Sequence, residues 1–222
     1  MNNRFIVENT GPNQGNLELA FYTALEVCKG MSLTNIIIVF PTKQGFKNSI
    51  VANLLGKQAT KTILDGGTVN AIDDIKLSFR TPKSIAKFSN NEVIFAIYTS
   101  ENDMNLVDSA RSEAIVFLPW REDEGKDWLA IWNPKIIGPT TWAIDTDALS
   151  SEAQEVILRL GRSINMSTGL THPSDKDLAK RLFSSLRNTN SLTPELVKRF
   201  AIQNGWEPLR AQELAVFSEK YC

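Results

Sequence analysis

Three short runs of consecutive apolar residues restrict the fold of this chain more than any other feature. They are IIIVF at residues 36–40, VIFAIY at residues 93–98 and AIVFL at residues 114–118. A strand with one face in water alternates apolar and polar residues, whereas a strand covered on both faces is apolar throughout. The runs therefore predict central strands of a mostly parallel sheet with helices on both faces.

Helical stretches separate the predicted strands. Further strand candidates lie at residues 5–7, 62–64 and 75–79. Apolar residues recur at three- and four-residue spacing over residues 17–29 and 46–55, so these segments are predicted helices with Cys28 and Leu54 on their buried faces. Alternating strands and helices are typical of right-handed βαβ units, and we expect a Rossmann-like α/β sheet flanked by helices.

The strand pattern ends before residue 147. Beyond it the sequence has only helical stripes of apolar residues, at residues 156–164, 178–186, 196–201 and 209–217. Pro134, Gly138 and Pro139 mark the preceding segment as a boundary between the two patterns. We therefore expect an α/β sheet domain at residues 1–146 and an all-helical domain or subdomain at residues 147–222.

Composition argues against several classes of protein. The formal net charge is −1, which gives no general attraction to nucleic acid or to a membrane surface. The apolar runs are far shorter than the ~20 residues that span a bilayer, and the start lacks the pattern of a signal peptide. One histidine, His172, and two cysteines, Cys28 and Cys222, provide neither a disulfide framework nor a set of zinc ligands. These features predict a cytoplasmic protein without a membrane partner.

Ligands of open parallel sheets bind beyond the carboxyl ends of the strands, where loops and helix N-termini meet. The candidate loops are NTGPNQGN at residues 9–16, TKQG at residues 42–45, TSEND at residues 99–103 and PWRE at residues 119–122. The first two contain glycine, which lets backbone N–H groups approach an anion, and the second adds a lysine. The sequence therefore predicts a site for a small anionic or nucleotide-like ligand, formed by Thr10, Gly11, Gly15, Thr42, Lys43 and Gly45.

Neither glycine-containing loop carries a complete phosphate-binding motif. The second lacks the pattern GxxxxGK[ST] and the first lacks GxGxxG, so each also fits an ordinary turn between a strand and a helix. The single histidine directly precedes Pro173 and a predicted helix, where a capping role explains it better than catalysis does. No cofactor or catalytic residue is predicted.

A second hypothesis is nucleic-acid binding by the last two predicted helices. Their spacing around a tight turn at Gly205 resembles that of a helix-turn-helix unit. Arg210 and Gln212 fall early in the second helix, where recognition residues lie. Glu207 and Glu213 place acidic groups on the same surface, and any packed helical hairpin has a similar pattern.

Two further segments leave alternatives open. Asp74 and Lys76 share one face of a predicted strand and, with Asp65, suggest a metal-dependent nuclease, although the same residues also suit turns. WREDEGKDWLAIW at residues 120–132 predicts an amphipathic helix with Trp128 and Trp132 on one face. These indoles fit either core packing or an aromatic patch for a partner.

Overall fold

The computed structural model of the protein describes residues 3–85, 91–110, 112–143, 147–186 and 192–221. Contacts between residues divide the chain into two compact units, Met1–Ile144 and Asp145–Cys222, which we call the sheet unit and the helical unit. The strands are β1 (Arg4–Val7), β2 (Asn35–Val39), β3 (Val69–Asn70), β4 (Lys76–Arg80), β5 (Val93–Ile97), β6 (Ala114–Leu118) and β7 (Lys135–Ile137). The helices of the sheet unit are α1 (Gln14–Gly30), α2 (Lys43–Lys47), α3 (Ile50–Leu55), α4 (Lys57–Leu64), α5 (Glu101–Asp108) and α6 (Glu122–Trp132).

The sheet has seven strands in the order β3-β4-β2-β5-β6-β1-β7. In the described part of the chain all neighbouring strands are parallel except β3 and β4. Ile37 of β2 pairs with Ile94 of β5, which pairs with Ile115 of β6, so the three apolar runs lie side by side. The mostly parallel α/β sheet predicted from these runs is confirmed.

Helices cover both faces of this sheet. Leu17 of α1 and Phe46 of α2 belong to the core on one face, together with α3 and α4. Val107 of α5 and Trp128 of α6 belong to the core on the other face. The double cover explains why the central strands carry no alternating polar residues, since both sets of side chains are buried. Cys28 of α1 is 0% exposed, as its position in the helical pattern predicts.

The helical unit contains α7 (Ser151–Ser163), α8 (Pro173–Ser184), α9 (Pro194–Gln203) and α10 (Pro208–Ser218). The hydroxyls of Ser150 and Thr193 cap α7 and α9, and the imidazole of His172 caps α8 by accepting the Ser174 N–H. No strand occurs among the described residues of this unit, which confirms the predicted helical segment.

Two predictions based on short apolar stretches are wrong. Residues 62–64, expected as a strand, form the end of α4, because the helix that begins after Gly56 continues through them. Residues 46–55, expected as one helix, belong to two, since α2 ends before Asn48 and Ser49 caps α3. Leu54 is consequently 49% exposed rather than buried.

The described helices also bear on membrane association. None of them combines the length and the apolar character that crossing a bilayer requires.

The predicted domain boundary after residue 146 and the terminal Cys222 lie outside the described residues.

Hydrogen bonds attach the last described segment of the sheet unit, residues 138–143, to Glu8, the residue that follows β1. Glu8 accepts hydrogen bonds from the Thr140 hydroxyl (2.7 Å), the Thr141 backbone N–H (2.6 Å) and the Thr141 hydroxyl (2.8 Å). The next residue, Trp142, is 7% exposed and packs in the core that contains α6. Burial alone would raise the pKa of Glu8, but the hydrogen bonds from Thr140 and Thr141 outweigh it and lower the pKa.

Acid should loosen this attachment. Because the pKa of Glu8 is lowered in the folded state, its stabilisation is complete above the unfolded-state pKa and is lost as the pH falls through the folded-state value. Glu8 lies close to solvent, so we expect a loss of no more than about 1 kcal/mol. Urea denaturation between about pH 6 and about pH 3 should show a smaller acid loss for Glu8→Gln than for the parent, with Glu26→Gln as control. An equal loss in Glu8→Gln and the parent would contradict the attachment.

Candidate functional site

At two places in the sheet, the helices that follow two neighbouring strands pack on opposite faces. The helices that follow β1 and β2 pack on one face, whereas α5 and α6, which follow β5 and β6, pack on the other. β2 lies beside β5, and β1 lies beside β6, so helices diverge beyond the carboxyl ends of both pairs. Ligands of open α/β sheets bind in crevices at such positions.

A cavity of about 380 Å³ lies beyond the carboxyl ends of these strands. We call it the edge cavity, after the edge of the sheet that the strand ends form. Its wall includes Pro12 from the loop after β1, Gly45 and Asn48 from the segment after β2, and Tyr98 and Trp120 from beyond β5 and β6. The two loops predicted from the sequence therefore reach one cavity, although β5 and β6 lie between their strands.

The loop after β1 is held in place by a buried side chain. Asn9, 2% exposed, donates to the carbonyl oxygens of Gly11 at 2.9 Å and of Pro119 at 2.7 Å. The Gly11 N–H donates to the carbonyl oxygen of Trp120 at 2.8 Å, and Gly11 has a φ of +68°. That φ favours glycine, so Gly11 serves the turn and its N–H is already bonded.

The other predicted residues of this loop do not line the cavity. Thr10 is exposed, and Gly15 is in the first turn of α1, where Asn13 is the cap and accepts the Asn16 N–H at 3.0 Å. Among the described residues of this loop, Pro12 is the one that lines the cavity.

The TKQG segment forms the start of a helix rather than a free loop. Thr42 Oγ1 accepts the Gly45 N–H at 2.9 Å, and α2 begins at Lys43. A Cβ on Gly45 would lie 2.9 Å from Thr42 Oγ1 and 3.2 Å from Phe40 Cε1, so a larger residue would require movement. Lys43 Nζ donates to the carbonyl oxygen of Leu64 at 3.1 Å, and this contact directs its charge to the end of α4.

Aromatic rings that the glycine pattern does not indicate form one wall of the edge cavity. The ring centroids of Phe40 and Tyr98 are 5.8 Å apart, and those of Tyr98 and Trp120 are 4.9 Å apart, both edge to face. Trp120 is 40% exposed, whereas Trp128 is 3% exposed and packs in the core. The position of these rings just after the ends of β2, β5 and β6 is the sequence signal that could have identified them.

Two buried hydroxyl groups follow the end of β5, and Tyr98, which carries one of them, lines the edge cavity. Tyr98, 8% exposed, has a φ of +55°, which is an unusual backbone conformation for a bulky residue. Among the described residues neither the Tyr98 nor the Thr99 hydroxyl has a partner at normal hydrogen-bond geometry, although the Tyr98 hydroxyl lies against the Asn13 backbone. Burial raises the pKa of Tyr98, and the Asn13 backbone opposes this rise. Strained backbone and unpaired buried groups concentrate at functional sites.

The residues of the nucleic-acid hypothesis are engaged within the helical unit. Arg210 forms ion pairs with Glu207 and Glu213, and its side chain lies so close to Gly169 that a Cβ there would be 3.0 Å away. Gln212 Oε1 is buried and lacks a hydrogen-bond partner among the described residues. A recognition helix presents such side chains to bases, so this geometry gives the hypothesis no support.

The residues of the nuclease hypothesis lie in different parts of the sheet unit. Asp74 occupies the turn before β4 rather than the strand itself, and Lys76 is the first residue of β4. Asp65 follows the last residue of α4, which Lys43 approaches from the carboxyl end of β2. Within the described ranges no group of three His, Cys, Asp or Glu side chains is arranged to hold a metal ion.

Comparison with known families places one match in the helical unit. Residues 153–221 match DUF1889, a domain of unknown function. The match covers α8, α9 and α10 and most of α7, and it does not include any residue of the edge cavity. No curated protein and no solved structure matches the chain.

Proposed function

We propose that the sheet unit binds a small nucleotide-like ligand in the edge cavity, with the planar base against Trp120. The observation that carries this proposal is the meeting of four βα segments at one cavity between diverging helices, with a partly exposed indole in its wall. Stacking of a base on an aromatic side chain contributes about 1–3 kcal/mol.

The polar groups of the cavity support a base more than a phosphate group. Its lining contains no Lys, Arg, Asp or Glu among the described residues. Asn48 in the lining offers an exposed amide, and Tyr98 in the same lining carries a buried hydroxyl with no partner at normal hydrogen-bond geometry among the described residues. A base presents donors and acceptors at its edge, and the phosphates of such a ligand would extend toward solvent.

The sheet resembles a Rossmann sheet only in where the proposed ligand binds, which is beyond the carboxyl ends of the strands where helices diverge. In the Rossmann order the first strand is central and its loop holds the pyrophosphate. Here β1 lies next to the edge strand β7, and its loop contributes Pro12 to the cavity.

A thermal-shift screen with nucleosides and nucleotides tests the proposal. We expect at least one compound to raise the unfolding midpoint, since a ligand at about 100 times its Kd adds about 2.7 kcal/mol of apparent stability. Trp120→Ala should weaken binding about tenfold or more. Tyr22→Ala is the matched control, because Tyr22 is 60% exposed on α1 and lies away from the edge cavity. Binding that Trp120→Ala leaves intact would contradict the proposed site.

A further inference from the structure

A second pocket lies beside α3 and α4 in the sheet unit. It has a volume of about 580 Å³, and its lining includes Lys47, Asn53, Lys57, Lys61 and Asp65. We call it the lysine pocket. None of its lining residues belongs to the edge cavity.

Helical spacing brings the lysines of this pocket together. Lys43 and Lys47 are four residues apart on α2, and Lys57 and Lys61 are four residues apart on α4, so each pair shares one face of its helix. Lys43 does not line the pocket, but its Nζ is 3.1 Å from the carbonyl oxygen of Leu64, which does. Four ammonium groups therefore belong to the pocket or its rim.

In the part of the chain that the structure describes, these lysines are not held by ion pairs. Elsewhere in the sheet unit Lys29 pairs with Asp73, and Lys126 pairs with Glu122. Among the described residues, no carboxylate forms an ion pair with any of the four lysines. Like charges four residues apart on a helix repel each other, so an anion bound beside them would relieve a small repulsion within each pair.

We infer that the lysine pocket binds a compact ligand that carries linked phosphate groups. Lysine ammonium groups act as point charges for phosphate, and the Asn53 side chain adds a hydrogen-bond donor. The pocket has the volume of a small-molecule site. The net charge of −1 provides no long-range attraction for a polymer. This inference is independent of the ligand proposed for the edge cavity.

Calorimetric titration of the full chain with inorganic tripolyphosphate tests the inference, because this probe carries linked phosphates and no base. We expect saturable binding that weakens as the salt concentration rises. Lys57→Gln/Lys61→Gln should raise the Kd about tenfold or more. Lys29→Gln/Lys126→Gln changes the net charge equally and should leave the Kd unchanged, as should Trp120→Ala. Lys47→Gln repeats the test with a smaller change if the double variant does not fold.

Three results would overturn the inference. The first is the absence of tripolyphosphate binding at low salt. The second is an equal loss of affinity in Lys57→Gln/Lys61→Gln and Lys29→Gln/Lys126→Gln, which would show an effect of net charge alone. The third is tighter binding of a single-stranded oligonucleotide than of tripolyphosphate, which would identify a polymer as the ligand.

Discussion

Replacing Asp108 with alanine is expected to lower the free energy of unfolding by about 3–5 kcal/mol. The Asp108 side chain is 3% exposed, and it accepts the indole N–H groups of Trp128 and Trp132 at 3.0 Å each. Arg4 Nε donates to it at 3.2 Å, and the Arg4 guanidinium lies 3.6 Å from the centre of the Trp132 ring. Alanine would remove the acceptor of all three donors in a largely buried place, where an unpaired group is costly.

Urea denaturation at neutral pH measures this effect. Asp74→Ala removes an exposed carboxylate from a turn and should change stability by no more than about 0.5 kcal/mol. Arg4→Met combined with Asp108→Ala should cost less than the sum of the two single changes, because both single changes remove the same ion pair. A loss below about 1 kcal/mol for Asp108→Ala would mean that the donors find water instead, and the cluster would then not stabilise the fold.

The sequence predicts the centre of the sheet better than its edges. β2, β5 and β6 are buried on both faces, so their composition alone distinguishes them. β3 and β7 have only two and three residues, which is too short for a periodic pattern to show. The same limit explains residues 62–64, where three apolar or β-branched residues suit a strand but continue α4.

The remaining error in the predicted fold concerns where helices begin and end. A single helix over residues 46–55 would place Leu54 on the same buried face as Phe46, but Ser49 starts a new helix with its own orientation. The Ser49 hydroxyl accepts the Ala52 N–H at 3.3 Å and donates to the Phe46 carbonyl oxygen at 2.7 Å. Serine within an apolar pattern fits either a helix interior or a cap, and only the tertiary structure separates the two.

Part of the candidate site could be predicted from the sequence because the carboxyl edge of a parallel sheet is known once the strands are known. Glycine in the sequence is a weaker guide to the residues that form the candidate site. Gly11 is required by its φ and Gly45 by its neighbours, so both are explained by local structure. Tyr98 and Trp120 meet only because β5 and β6 are adjacent, and that pairing is not visible in either segment alone.

Gly125→Ala is expected to lower the free energy of unfolding by about 3 kcal/mol, although alanine is the better helix former. Gly125 lies in α6, and a Cβ there would be 2.2 Å and 2.3 Å from two ring atoms of Trp142 and 3.0 Å from Pro119 Cγ. Atoms cannot approach so closely, so the substitution must displace the indole from its buried place. The matched control is Gly30→Ala, which makes the same change at the end of α1 with no atom within 4 Å of the added Cβ.

Removing the indole should reverse the sign of the effect. In a Trp142→Ala background the ring no longer occupies the space beside Gly125, and Gly125→Ala should then stabilise the protein by up to about 1 kcal/mol through helix propensity. Urea denaturation of the parent, the two single variants and the double variant forms a double-mutant cycle that measures this coupling. If Gly125→Ala still destabilises the protein without the indole, the contact with Pro119 sets the limit. The close packing of Trp142 would then not be the reason for glycine at this position.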